Sequence, residues 1–207
     1  MRKIWFSLIL GVGIVLAGEQ PEFPVTPVNN FETLRSWFID APHTIADFAM
    51  ERTLPSGRVL KSRGTFECRK GMGMMWKTEY PVRNTMVIDA ETLRLYDAQG
   101  RELRRVSLAD SPAGQFSAVL VNELNADFFR QIEKRISLTC RTNKEAGELV
   151  LGLKPKRRGW DLKWLQITVS NGKVCEVYYE SSRQGKTEVR FRNIRLSDTG
   201  PPGPFTL

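Results

Sequence analysis

Residues 59–70 read Val59-Leu60-Lys61-Ser62-Arg63-Gly64-Thr65-Phe66-Glu67-Cys68-Arg69-Lys70. Leu60, Ser62, Gly64, Phe66 and Cys68 fall on one side of this stretch. A repeat of two is what a strand imposes, because its successive side chains point to opposite faces. The same repeat occurs just upstream, where Ala46, Phe48 and Met50 alternate with Asp47, Ala49 and Glu51. Pro55-Ser56-Gly57 supplies the turn between the two runs.

Downstream, period-two runs recur at 74–79, 85–89, 92–97 and 103–107, linked at Tyr80-Pro81, Ala90-Glu91 and Gln99-Gly100. The pattern breaks at Ser111-Pro112. Phe116, Val119, Leu120 and Leu124 then follow at helical spacing, with Phe128-Phe129 as a possible continuation. Strand runs return at 135–141, 148–153, 162–170, 174–181 and 187–196. Asn171-Gly172, between two of these runs, is the strongest short hairpin signal, since both residues tolerate positive φ. Upstream of the hairpin, Phe31, Leu34 and Phe38 fall on one face of a short helix, residues 31–39, which Asn30 caps and Pro42 stops.

The expected fold is mainly β with some α: one antiparallel, strongly curved sheet of about ten or eleven strands, an open or half barrel covered by a few helices. A meander is its simplest topology. The expected layout is a signal peptide over 1–17, an extended lead-in over 18–28 with three prolines, one domain over 29–200 and a tail over 201–207. Pro201-Pro202-Gly203-Pro204 ends the ordered chain, with Phe205 as a residue that could dock back.

The start of the chain bears on its destination. Arg2 and Lys3 precede an apolar run of 13 residues, Ile4 to Leu16, and small residues follow at Ala17 and Gly18. That is the signature of a cleavable secretory signal, and the run is shorter than the roughly 20 residues that cross a bilayer. Its removal leaves 29 basic against 23 acidic side chains, a formal charge of +6. Such an excess admits nucleic acid, an anionic membrane surface or an acidic protein as partner, and export removes nucleic acid from that set. With no Cys near the cleavage region, the product is expected in the periplasm without a lipid anchor.

Signals for chemistry are sparse. Cys68, Cys140 and Cys175 are an odd number, so at most one internal bridge can form, and their spacing fits no metal site. They read as small strand hydrophobes, with the disulfide state left open. His43, the single histidine, reads as a surface or capping residue. The chain lacks a Gly-x-Ser-x-Gly elbow and a phosphate-binding Gly-x-x-x-x-Gly-Lys loop. No catalytic residue, cofactor or metal is expected. The basic run Lys154 to Arg158 reads as a solvated loop or as a contact for anionic lipid or acidic protein.

Residues 64–81, Gly64-Thr65-Phe66 through Met74-Met75-Trp76 to Tyr80-Pro81, resemble the core motif of the periplasmic outer-membrane lipoprotein carrier (LolA-like) family. In that motif a Gly-x-Phe strand leads through a basic turn to an aliphatic-x-Trp strand and then a Pro. Leu93 to Asp97, Leu151 to Lys156 and Gly185 to Phe191 are similar to later segments of the family, in order, so the resemblance spans about residues 29–196. Two departures mark a divergent branch. Phe48 is followed by Ala49-Met50, where the family often has a Gln two residues after its Phe. Lys70, with Arg69 beside it, occupies the position where well-studied members place an Arg that holds the helices over the cavity. Lysine lacks the planar donor fork of arginine.

The resemblance implies a soluble carrier that shields the acyl chains of lipoproteins and shuttles them from an inner-membrane release complex to an outer-membrane acceptor. The alternatives keep the fold: a carrier of another lipid or hydrophobic product, or a lipid-sensing regulatory or interaction domain. A monomer is the expected state. Phe48, Met50, Phe66, Met74, Trp76, Phe116 and Leu120 are the expected lining of the apolar space, with a solid core as the alternative, and flexible Met suits an adaptable lipid surface. Lys70 and Arg69 are the expected lid or headgroup contacts. Lys70 is the one in phase with Phe66 and Cys68.

Overall fold

The computed structural model describes residues 26–27, 41–89, 91–107, 134, 136–156, 161–200 and 205, where runs of alternating apolar and polar residues form strands joined by turns. Among the described residues every regular element is a strand. In order these are β1 (Thr26–Pro27), β2 (His43–Thr53), β3 (Val59–Arg69), β4 (Gly73–Tyr80), β5 (Asn84–Ile88), β6 (Thr92–Asp97) and β7 (Glu102–Ser107). There follow β8 (Ile136–Asn143), β9 (Glu148–Pro155), β10 (Leu162–Ser170), β11 (Lys173–Ser181) and β12 (Gly185–Ser197). The helices expected at 31–39 and 115–124, with Phe116 and Leu120, lie outside the described residues, as do the signal segment and the basic residues Arg157 and Arg158.

All twelve strands join one sheet in the order β1-β8-β9-β10-β11-β12-β2-β3-β4-β5-β6-β7, and every pairing is antiparallel. Apart from the two-residue β1, eleven strands of five residues or more make the sheet. A single meander does not describe it. Two meanders, β2–β7 and β8–β12, meet where the last strand pairs with the first long one, Phe191 opposite Phe48 and Val189 opposite Met50. This seam puts the longest strands in the middle and leaves β7 at one edge. That edge is guarded by Glu102, Arg104 and Arg105, all exposed, the kind of charge that discourages strand addition.

Turn chemistry matches the sequence where it was strongest. Asn171 (φ 48°) and Gly172 (φ 78°) form a two-residue loop between Ser170 and Lys173, which face each other in register. The C-terminal segment returns to the sheet. Phe205 packs on Met75, Val87 and Tyr96, and the Arg69 guanidinium lies 4.5 Å from its ring centroid.

Candidate functional site

Register determines which side chains gather on each face. Across β2, β3 and β4, Phe48 stands opposite Gly64, Ala46 opposite Phe66, Phe66 opposite Trp76, and Cys68 opposite Met74. Directly opposed residues point the same way, so Ala46, Phe48, Met50, Phe66, Met74 and Trp76 share one face. The face continues through Met86 and Ile88 on β5 to Leu93 on β6. In the other direction it runs through Val189 and Phe191 to Val177, then Leu165 and Ile167, Leu151 and Leu153, and Leu138. One apolar surface therefore crosses the whole sheet. Its β8–β11 half is a tight cluster in which Leu149, Leu153 and Val169 are almost wholly buried.

At the centre of this face sits a group of four rings. Trp76 lies 5.0 Å from Phe48 in an edge-to-face contact, 4.7 Å from Phe66 and 5.8 Å from Phe191, and Phe66 lies 5.1 Å from Phe191. Phe48 and Trp76 are on strands separated by β3, and Gly64 explains how they meet. It stands opposite Phe48 and presents no side chain between the rings. A Cβ there would also strike the Lys77 carbonyl oxygen, because a register shift between Arg63 and Gly64 brings β4 close. Phe48 is 3% exposed and Met74 2%, while Met50, Phe66 and Trp76 are half-buried.

Five of the seven expected lining residues thus lie on one apolar face, and the other two fall outside the described residues. Phe191 belongs to the same group, and the lining expected from the sequence omitted it. Its alternation with Thr187 and Val189 was visible, but its place beside Phe48 depends on the β12–β2 seam. Trp164 points the other way, its ring lying over Gly152.

The opposite face carries a buried charged cluster. Glu67 Oε1 accepts from Arg69 Nε at 2.7 Å and pairs with His43 Nε2 at 3.0 Å, with all three side chains largely out of solvent. His43 is therefore a buried strand residue packed near Gly200, not a surface or capping residue. Arg69 is held on this face by Glu67 and Phe205, away from the apolar side. Strand β3 ends at Arg69, and the Lys70 N–H donates to the Pro42 carbonyl. Lys70 consequently sits in the turn, where the alternation that aligned it with Phe66 and Cys68 no longer applies.

All three cysteines lie on strands, Cys68 on β3, Cys140 on β8 and Cys175 on β11. Cys68 packs with Met74 and Ile88, and burial, reinforced by the Glu67 charge, raises its pKa to about 11. Burial likewise raises that of Cys175, whose Sγ donates to the Thr168 carbonyl at 3.4 Å. Such thiols stay protonated and unreactive at neutral pH.

The family described as outer membrane lipoprotein carrier protein LolA matches residues 43–207. An outer-membrane lipoprotein carrier protein of Hahella chejuensis (strain KCTC 2396) is 21% identical over 155 residues, 74% of this chain and 72% of the relative. Among solved structures, a LolA superfamily protein from Nitrosomonas europaea has 11% identity and a TM-score of 0.43, over 82% of this chain and 93% of that one. A putative outer membrane lipoprotein-sorting protein domain from Vibrio parahaemolyticus has 10% identity and a TM-score of 0.40, over 80% and 90%.

Proposed function

The chain belongs to the outer membrane lipoprotein carrier (LolA) family, and from that membership we propose that it is a periplasmic carrier that holds the acyl chains of a lipoprotein against its apolar sheet face. In this reading the signal peptide at 1–17 delivers the protein and is removed. In the same reading the sheet curves around the acyl chains, and Phe48, Met50, Phe66, Met74 and Trp76 are among the residues that line the space. Lys70, in the turn at the rim, is the cation that meets the polar part of the cargo. The partners are an inner-membrane complex that releases the lipoprotein and an outer-membrane acceptor.

The observation that carries the reading is the apolar face that crosses the sheet, with its four-ring centre. Each CH₂ withdrawn from water contributes about 0.8 kcal/mol, so several fatty chains represent tens of kcal/mol that a shuttle must offset while the cargo crosses water. An apolar surface does this without bond making, and release needs only a stronger acceptor. No turnover enters the scheme.

The test is to incubate the mature protein with inner-membrane vesicles holding a triacylated lipoprotein, together with the release machinery, and to weigh the soluble fraction by native mass spectrometry. The expected result is a one-to-one soluble complex that passes its cargo to outer-membrane vesicles, and Trp76→Ala lowers the yield. A soluble fraction holding only the bare polypeptide, with all lipoprotein left in the vesicles, would sink the reading.

A further inference from the structure

A polar group interrupts the apolar face toward one end of β2. Arg52 extends the row of Phe48 and Met50 on β2, and Thr187 stands directly opposite it on β12. On β3, Leu60 stands opposite Arg52, and Ser62 stands opposite Met50, one step diagonal to the arginine and within reach of a long side chain. Arg52 Nε, Ser62 Oγ and Thr187 Oγ1 are all buried, and none has a hydrogen-bond partner. Thr187 is 0% exposed. Native folds rarely leave a buried donor unsatisfied. Here three such atoms occupy one face of three adjacent strands.

Nothing described nearby balances the arginine. The side chains that share its face in neighbouring registers are Leu60, Met50, Val189, Tyr179 and Leu165, all without a carboxylate. Asp161, at the same end of the sheet, is engaged by Ser181 Oγ at 2.7 Å and the Arg183 N–H at 2.9 Å. Charged neighbours on β2 and β3, such as Glu51 and Lys61, pair with each other on the opposite face at 2.8 Å.

We infer that Arg52, Ser62 and Thr187 form a site for the oxyanion of a bound amphiphile, a lipid phosphate or carboxylate. This rests on the proposed reading of the apolar face as a holder of acyl chains and departs from it in the cargo and its polar contact: an anionic lipid whose headgroup meets Arg52 at one end of β2, not Lys70 beyond the other. The chemistry fits: a guanidinium offers donors in a planar fork that match two oxygens of a phosphate or carboxylate, and the two hydroxyls supply further donors. The spacing fits as well. From Arg52 to Phe48 is four residues along the strand, about 13 Å at roughly 3.3 Å per residue. A headgroup at Arg52 therefore leaves its chains to run over Met50 and Val189 onto the rings of Phe48, Phe66, Trp76 and Phe191. A neutral diacylglyceryl group would satisfy the apolar surface and leave the arginine without a counter-charge.

The test is calorimetric titration of the mature protein with three probes: dioctanoyl phosphatidylglycerol, dioctanoylglycerol and glycerol phosphate. The phosphatidylglycerol is expected to bind about tenfold or more tightly than the neutral lipid with the same chains, in line with one or two charge-assisted hydrogen bonds. Glycerol phosphate, lacking chains, is expected not to bind measurably. Arg52→Met should erase the preference and leave dioctanoylglycerol affinity unchanged. Lys61→Met removes the same charge from the opposite face and should keep the preference. Thr187→Val, which removes the orphan hydroxyl at nearly constant shape, should weaken phosphatidylglycerol binding while raising the melting temperature of the free protein. Equal binding of the two lipids, or a preference that survives Arg52→Met, overturns the headgroup site and leaves the carrier reading standing. Glycerol phosphate binding as tightly as the lipid overturns it in favour of a soluble anion. Failure of both lipids to bind removes the carrier reading and this site together.

Discussion

Phe191 shows how much one side chain depends on its neighbours. Its ring lies 5.1 Å from Phe66 and 5.8 Å from Trp76, and it bridges the two meanders across the β12–β2 seam. Tilted ring pairs of this kind contribute about 0.5–1.5 kcal/mol beyond the area they bury. A double-mutant cycle of Phe66→Leu and Phe191→Leu, read by urea unfolding, should give a coupling energy of about 1 kcal/mol; strictly additive effects would mean the rings do not touch in solution. At this scale the sequence was a mixed guide. The alternation along β2, β3 and β4 placed Phe48, Met50, Phe66, Met74 and Trp76 on one face. It gave no means of seating Phe191 beside Phe48, because their strands are separated by more than a hundred residues. The burial of His43 is hidden from the sequence for a related reason: Glu67 and the chain near Gly200 cover it, and neither adjoins it in sequence.

Among the elements, the β10–β11 hairpin owes its shape to two residues. Gly172 has φ 78°, a conformation that costs an L side chain roughly 1–2 kcal/mol. Gly172→Ala should therefore lower unfolding free energy by about 1 kcal/mol without altering the far-ultraviolet spectrum; an unchanged midpoint would show that the turn tolerates a Cβ. Strands were the most legible elements. The runs read at 92–97 and 162–170 coincide with β6 and β10, and the remaining long strands differ from their predicted limits by no more than two or three residues at either end. Side-chain period and turn residues are local properties, so such spans can be read without knowing what they pack against. Lys70 shows where that reading stops. The alternation runs through it on paper, but the backbone turns after Arg69 and cancels the phase.

For the molecule as a whole, the sheet is organised around its seam. β12 and β2 lie in the middle with neighbours on both sides, while β7 has one partner and exposed, charged side chains. Opening of the central pair requires breaking the contacts that join the two meanders, so its amides should exchange with a free energy close to that of global unfolding. Native-state hydrogen exchange should accordingly rank amides of residues 46–52 and 186–191 as slowest and those of 102–107 among the fastest. Comparable protection of β7 and β2 would refute a sheet held by its centre.

The chain's own pattern determined that it is an antiparallel β protein, where its long strands lie, which residues of β2, β3 and β4 are apolar together, and which family motifs it carries. These follow from forces acting over a few residues: the pleat, the turn preferences of Gly, Asn and Pro, and the segregation of greasy from polar side chains. Only the tertiary structure decided that two meanders close on each other through β12 and β2, that Phe191 completes the ring cluster, that Arg69 turns away toward Phe205, and that Arg52, Ser62 and Thr187 come together on an apolar surface. Each of these joins residues far apart in the chain, and strand pairing at such separations is chosen by the burial that the assembled sheet achieves, which no local window contains.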